Sequence, residues 1–113
     1  MSLKLKELRW VSSAKKDLKK FPEEVQHEMG YALHMAQMGE KYIHAKPLKS
    51  LHGVMEIISD YNTDTYRAMY AVNIKDIIYV LHAFQKKSKG GIATPKQEID
   101  LIKQRLKLAK SFE

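Results

Sequence analysis

Apolar residues follow two rhythms along this chain: helical spacing near both ends and near-alternation between them. Leu8 to Val11 reads as a short strand, with Ser12 or Ser13 placed to cap a helix. Ala14, Leu18 and Phe21 then share one helical face, while Lys15, Lys16, Lys19 and Lys20 take the other. Pro22 stops that helix and is expected to open the next at its first position. Glu23 and Glu24 follow, where a helix N-terminus favours negative charge. Val25, Met29, Ala32, Leu33 and Ala36 continue at helical spacing until Gly39, which predicts a helical hairpin ending at that glycine.

A polar connection through Lys46-Pro47 precedes the change of rhythm. Val54 to Ser59, Tyr66 to Ile74 and Ile77 to Phe84 are rich in Ile, Val, Tyr and Phe, and short turn segments separate them. These predict three strands in an antiparallel meander. In the middle strand Tyr66, Ala68, Tyr70 and Val72 should face one way, and Arg67, Met69 and Ala71 the other. Ile77 to Leu81 is apolar on both faces, as expected of a strand at the centre of a sheet. Continued alternation puts His82 on the face of Val80 and Phe84. After a polar loop containing Gly90-Gly91, Thr94 reads as N-cap, Pro95 as first position and Gln97 as the close of a capping box. Ile99, Ile102, Leu106 and Ala109 form the apolar stripe of that last helix. The expectation is one α+β domain over residues 1–113, ordered β-α-α-β-β-β-α, with no internal repeat.

Composition narrows the possible roles. The chain has 113 residues and no cysteine, so disulfide frameworks and thiolate metal sites are excluded. It carries no long apolar run, and MSLKLKELRW lacks the pattern of a signal peptide, which favours a soluble cytoplasmic protein with no membrane partner. Twenty Lys and Arg against thirteen Asp and Glu leave a formal charge of +7, pointing to a polyanionic partner. Two stretches are free of acids. One, from Lys41 to Met55, holds Lys46, Lys49, His44 and His52; the other holds Lys86, Lys87, Lys89 and Lys96.

The usual constellations are missing. His27 and His34 lie about two helical turns apart, too far to share an ion. Gly90-Gly91 lacks phosphate-loop spacing, and no cofactor is implied. What remains is a basic set on the sheet and its exits. Arg67, mid-strand, either pairs with Glu56 across the neighbouring strand or serves as a phosphate clamp. Lys86 and Lys87 leave the sheet as either a solvated strand end or part of that clamp. His82 is either a satisfied core histidine or a catalytic one, and Tyr70 and Tyr79 are either core aromatics or base-stacking platforms. Such residues suit RNA cleavage by the adjacent 2′-hydroxyl, which needs a base, an acid and cations around the phosphorane.

Taken together, Tyr66-Arg67, Phe84 to Lys87 and Thr94 to Ile99, with Glu56 in the strand before them, resemble the phage-derived RelE/HigB-like toxins of type II toxin–antitoxin systems. The likeness runs from Trp10 to about Ala109. It implies a RelE-like fold with helices on one side of a curved antiparallel sheet. It also implies cleavage of mRNA on the ribosome and neutralisation by an antitoxin that often carries a helix-turn-helix domain. Under the resemblance Arg67 and Lys86 or Lys87 match the family's basic residues, and Lys49, Lys86 and His82 are candidate bases. Tyr70, Lys46 and Lys89 are candidate substrate contacts. The chain departs from RelE itself in lacking paired lysines beside Glu56 and a C-terminal nucleotide-facing tyrosine. Two other roles fit the same scaffold: a ParE-like gyrase inhibitor without nuclease activity, and a non-catalytic RNA-binding module.

Overall fold

The computed structural model describes residues 4–86 and 94–113. Lys87, Lys89 and the Gly90-Gly91 pair lie outside the described residues. The elements are β1 (Glu7–Trp10), α1 (Ala14–Leu18), α2 (Glu23–Gln37), β2 (Ala45–Pro47), β3 (Val54–Tyr61), β4 (Asp64–Ile74), β5 (Ile77–Lys86) and α3 (Lys96–Ser111). They form one five-stranded sheet in the order β1-β5-β4-β3-β2.

The meander β3-β4-β5 is antiparallel, as its turns require. Asn62 and Thr63 join β3 to β4, and Lys75 and Asp76 join β4 to β5, all four at positive φ. Two left-handed central residues give a hairpin turn whose twist matches that of the flanking strands. The sheet departs from expectation at both edges. β1 pairs with β5 in parallel, from Glu7↔Ile77 to Trp10↔Val80, so the sheet is mixed. The connection through Lys46-Pro47 contains a strand, β2, antiparallel to β3 with Lys46 opposite Glu56. A proline is tolerated there because β2 is an edge strand.

Helices cover both faces, not one. Ala14, Leu18 and Phe21, with Val25, Met29, Ala32 and Leu33, pack on Ile57, Tyr66, Ala68, Tyr70, Ile78 and Val80. Ile99, Ile102, Leu106 and Ala109 of α3 pack on Met69, Ala71, Ile77, Tyr79 and Leu81 of the opposite face. The double covering explains why Ile77 to Leu81 is apolar without alternation: each residue of that run is buried, on one face or the other. In β4 the alternation read from the sequence holds, with Tyr66, Ala68 and Tyr70 toward α1 and α2 and Met69 and Ala71 toward α3.

Capping differs in detail. α2 ends as expected in a left-handed Gly39 at φ 80°. Gly39 N–H donates to the Ala36 carbonyl at 3.0 Å and Glu40 N–H to that of Met35 at 2.9 Å, the paired bonds of a Schellman motif. Pro22 is the residue before α2, not its first. Ser13 and Thr94 do not cap: α3 begins at Lys96 after Pro95, with no side-chain cap bond at either α1 or α3. Both hydroxyls have tertiary partners instead.

Candidate functional site

The position of the site depends on one extra residue in β5. Met69 registers with His82 and Tyr70 with Val80, so Leu81 has no partner of its own on β4. A bulge of this kind shifts the alternation by one residue. Val80 packs toward α1 and α2, whereas Leu81 packs with α3; beyond the bulge Ala83 turns back to the first face and Phe84 to the second. The expectation that His82 shares a face with Val80 is thereby corrected: His82 lies on the α3 face with Leu81 and Phe84. Without the bulge, Phe84 and Lys86 would fall on the helical-hairpin face. With it, Phe84 registers beside Arg67 and Lys86 beside Thr65.

Two polar clusters stand on this face. In the first, Glu56 and Arg67 are 3% and 4% exposed. Arg67 Nη1 donates to Glu56 Oε2 and to Thr94 Oγ1, both at 3.2 Å. Thr94 Oγ1 in turn donates to Glu56 Oε2 at 3.2 Å. Lys46 Nζ lies 3.8 Å from the other carboxylate oxygen, Oε1, and is itself largely exposed. Taking a guanidinium and a carboxylate out of water is costly unless they bond each other, and here they do.

This triangle forms one wall of a cleft of about 320 Å³ lined by Lys46, Lys49, Ser50, Glu56, Arg67 and Thr94, with Pro47, Leu48 and Ile99 as its apolar part. Its described lining carries three cations against one carboxylate. A concave surface of that charge concentrates anions, and the planar guanidinium suits a phosphate oxygen pair. Arg67, Lys46 and Lys49 are thus brought together. Lys86 follows Phe84 on the same face, outside the cleft's lining.

The second cluster surrounds His82. Its Nε2 lies 2.6 Å from Glu98 Oε1 and its Nδ1 3.3 Å from Arg105 Nη1. A guanidinium only donates, so Nδ1 accepts and Nε2 carries the proton given to Glu98. Arg105 also donates to the Leu81 carbonyl and to Ser13 Oγ, each at 3.0 Å, and Ser13 Oγ donates to Asp17 at 2.8 Å. The His82 ring stacks on Phe84 at 5.3 Å between centroids. Both nitrogens are therefore engaged in fixing α3 to the bulge.

Tyr70 is not brought to the cleft. It lies on the α1–α2 face, buried, and burial pushes its phenol up. Tyr79 faces α3 but bonds Arg9 and Glu113 near the C-terminal end of that helix. The sequence offered Glu56 as a cross-strand partner of Arg67, and that pair is present at 3.2 Å; what it did not disclose is Thr94 as more than a cap. Glu56 was legible as an acid at an inward strand position. For Thr94 the local signal pointed elsewhere, because a Thr-Pro pair before a helix has the composition of a cap. Among the described residues no helix is long and apolar enough to cross a membrane, and no group of three or more His, Asp or Glu side chains is placed to hold a metal ion.

Comparison with known proteins agrees with the fold. A family model described as phage derived protein Gp49-like matches residues 16–107. Among solved structures, a chain of the toxin–antitoxin complex RelBE2 from Mycobacterium tuberculosis aligns with a TM-score of 0.51 and 19% identity. The alignment covers 77% of this chain and 98% of that one. No curated protein matches the chain. The family match and the shared fold bear out the resemblance to the phage-derived RelE/HigB-like group.

Proposed function

The chain belongs to the phage-derived Gp49-like family, and on that premise we propose that it is the toxin of a type II toxin–antitoxin pair that cleaves mRNA on the ribosome. The observation that carries the reading is the cleft itself, where a buried Arg67–Glu56 pair meets Lys46 and Lys49. Cleavage of this kind needs the 2′-oxygen to attack the adjacent phosphorus, the bond from phosphorus to the 5′-oxygen to break, and two proton transfers. Glu56 is the base that takes the 2′ proton. Its Oε2 is occupied by Arg67 and Thr94, so Oε1, toward the exposed Lys46, is the oxygen that receives it. Arg67 holds the phosphate and the charge that develops on it. The ammonium groups of Lys46 and Lys49 neutralise the flanking backbone and supply a proton to the departing 5′-oxygen.

The products are a 2′,3′-cyclic phosphate and a 5′-hydroxyl, and all the required groups are side chains. Lys86, on the same face beyond Phe84, extends the basic surface toward the RNA strand. His82 is left out of the proton transfers, because both its nitrogens are engaged. The relation to a toxin–antitoxin complex and the net charge of +7 support an acidic antitoxin as partner, often a helix-turn-helix protein, in the cytoplasm.

The test is induction of the chain alone, with mRNA 5′ ends mapped, against Arg67→Ala and Lys86→Ala/Lys87→Ala. Growth arrest with cuts inside translated codons is expected. Arrest with intact transcripts and an SOS response would replace this reading with gyrase inhibition. Harmless overexpression with salt-sensitive RNA binding would replace it with a binding module.

A further inference from the structure

Thr94 has the composition of a helix cap but lies one residue before the cap position, which Pro95 holds. The first turn of α3 is closed by the Pro95 carbonyl, which accepts from Glu98 at 3.0 Å and Ile99 at 3.1 Å. The Thr94 hydroxyl instead completes the triangle with Arg67 and Glu56. Its proton has one direction. Arg67 can only donate, so Oγ1 accepts from Nη1 and must give its own hydrogen to Glu56 Oε2.

Resting on the cleavage reading above, we infer that Thr94 is a positioning residue for that reaction: its hydroxyl holds Oε2 so that Oε1 is the oxygen presented to the 2′-hydroxyl. Two donors converging on Oε2 fix the plane of the carboxylate and leave Oε1 on the side of Lys46, 3.8 Å from its Nζ. Among the described residues, the other charged groups facing the carboxylate are Lys46 from β2 and Arg67 from β4, with Lys49 also lining the cleft. None of them can replace the hydroxyl, because none both accepts from Arg67 and donates to Glu56.

The placement of Thr94 is set from a distance. Glu98, one turn into α3, bonds His82, and Arg105, two turns further, bonds His82 and the Leu81 carbonyl at the bulge. The helix is therefore fixed in rotation and height at the same strand that carries Phe84 beside Arg67. A base held in one orientation spares the reorganisation that a freely rotating carboxylate would need at each turnover.

The test uses the full chain, purified, on ribosomes programmed with a short message, comparing wild type with Thr94→Val and Thr94→Ser. Val keeps the shape and removes the hydroxyl, and Ser restores it. The expected result is that Thr94→Val lowers kcat about tenfold at unchanged KM, the scale of one lost hydrogen bond. Thr94→Ser should recover most of the loss, and the melting temperature should fall by several degrees in Thr94→Val and be restored in Thr94→Ser, since the hydroxyl's bonds to the buried pair are lost and regained. In parallel, the Arg67 Nη protons are followed by NMR on the free protein, where Thr94→Val should shift them and Thr94→Ser should not. Wild-type kcat in Thr94→Val, or no recovery in Thr94→Ser, overturns the inference while wild-type cleavage upholds the reading. Absence of cleavage by wild type, with the NMR pattern intact, overturns the cleavage reading and this role within it, leaving only the triangle's geometry.

Discussion

The two polar clusters on the α3 face are built from the same parts and do different things. Each centres on an arginine and a glutamate with a hydroxyl nearby: Arg67, Glu56 and Thr94 in one, Arg105, Glu98 and Ser13 in the other. The second surrounds a histidine, whose two nitrogens lie between Glu98 and Arg105. It joins α3, β5 and the start of α1. The first opens on a cleft lined by two lysines, with Glu56 Oε1 directed toward Lys46. Residue type therefore does not separate the cluster that fixes the helix from the one proposed to react. Access to a cationic concavity does, because only there can a substrate phosphate compete for the guanidinium.

The contrast predicts unequal responses to substitution. Arg67→Lys keeps the charge and loses the planar fork, so cleavage should fall by about 10²-fold or more, as when a transition-state donor is removed. A kinetic assay on programmed ribosomes reads this directly. Arg67→Ala adds an unpaired buried carboxylate and should also cost about 3–5 kcal/mol in denaturant titration. His82→Ala should do the opposite. It strands Glu98 and Arg105 and lowers stability by about 2–4 kcal/mol, while cleavage per folded molecule falls by no more than about tenfold, the loss expected from a loosened Thr94. Loss of activity at full stability in that variant would mean that the second cluster is also reactive.

Lys46→Ala and Lys49→Ala should have milder effects, because either ammonium can supply the proton when the other is lost. Each removes one backbone contact, lowering the slope of log affinity against log salt by about 0.7 for single-stranded RNA, with binding measured between low and physiological salt. Smallest is a change remote from both clusters. Thr63 is β-branched and sits at φ 69° in the β3–β4 turn. Thr63→Gly should raise stability by about 1 kcal/mol with cleavage unchanged, since glycine adopts that conformation without strain.

Much of this was legible before any coordinates. The hairpin stop at Gly39, the meander and the faces of β4 follow from spacing, because β4 runs regularly through Arg67 and each face is covered by a different helix. Three features were not. β2 has the composition of a loop, and its pairing with β3 rests on backbone bonds that leave no side-chain pattern. The bulge at Leu81 lies in a run apolar on both faces, where an extra residue leaves no break in the pattern. Thr94 carries a strong local signature for capping, and a tertiary contact with Arg67 prevailed over it. In each case a long-range partner decided what local sequence left open.

The bulge bears on how related chains can diverge. Strand β5 carries its chemistry in phase: removing Leu81 would rotate every later residue by half a turn and deliver Phe84 and Lys86 to the wrong side of the sheet. Insertions and deletions in this strand should therefore survive only in pairs, or with a compensating shift of the aromatic and basic residues by one position. A relative with a straight β5 would be expected to spell its exit motif one residue earlier, and a gap at that point would record a change of phase, not a loss of function.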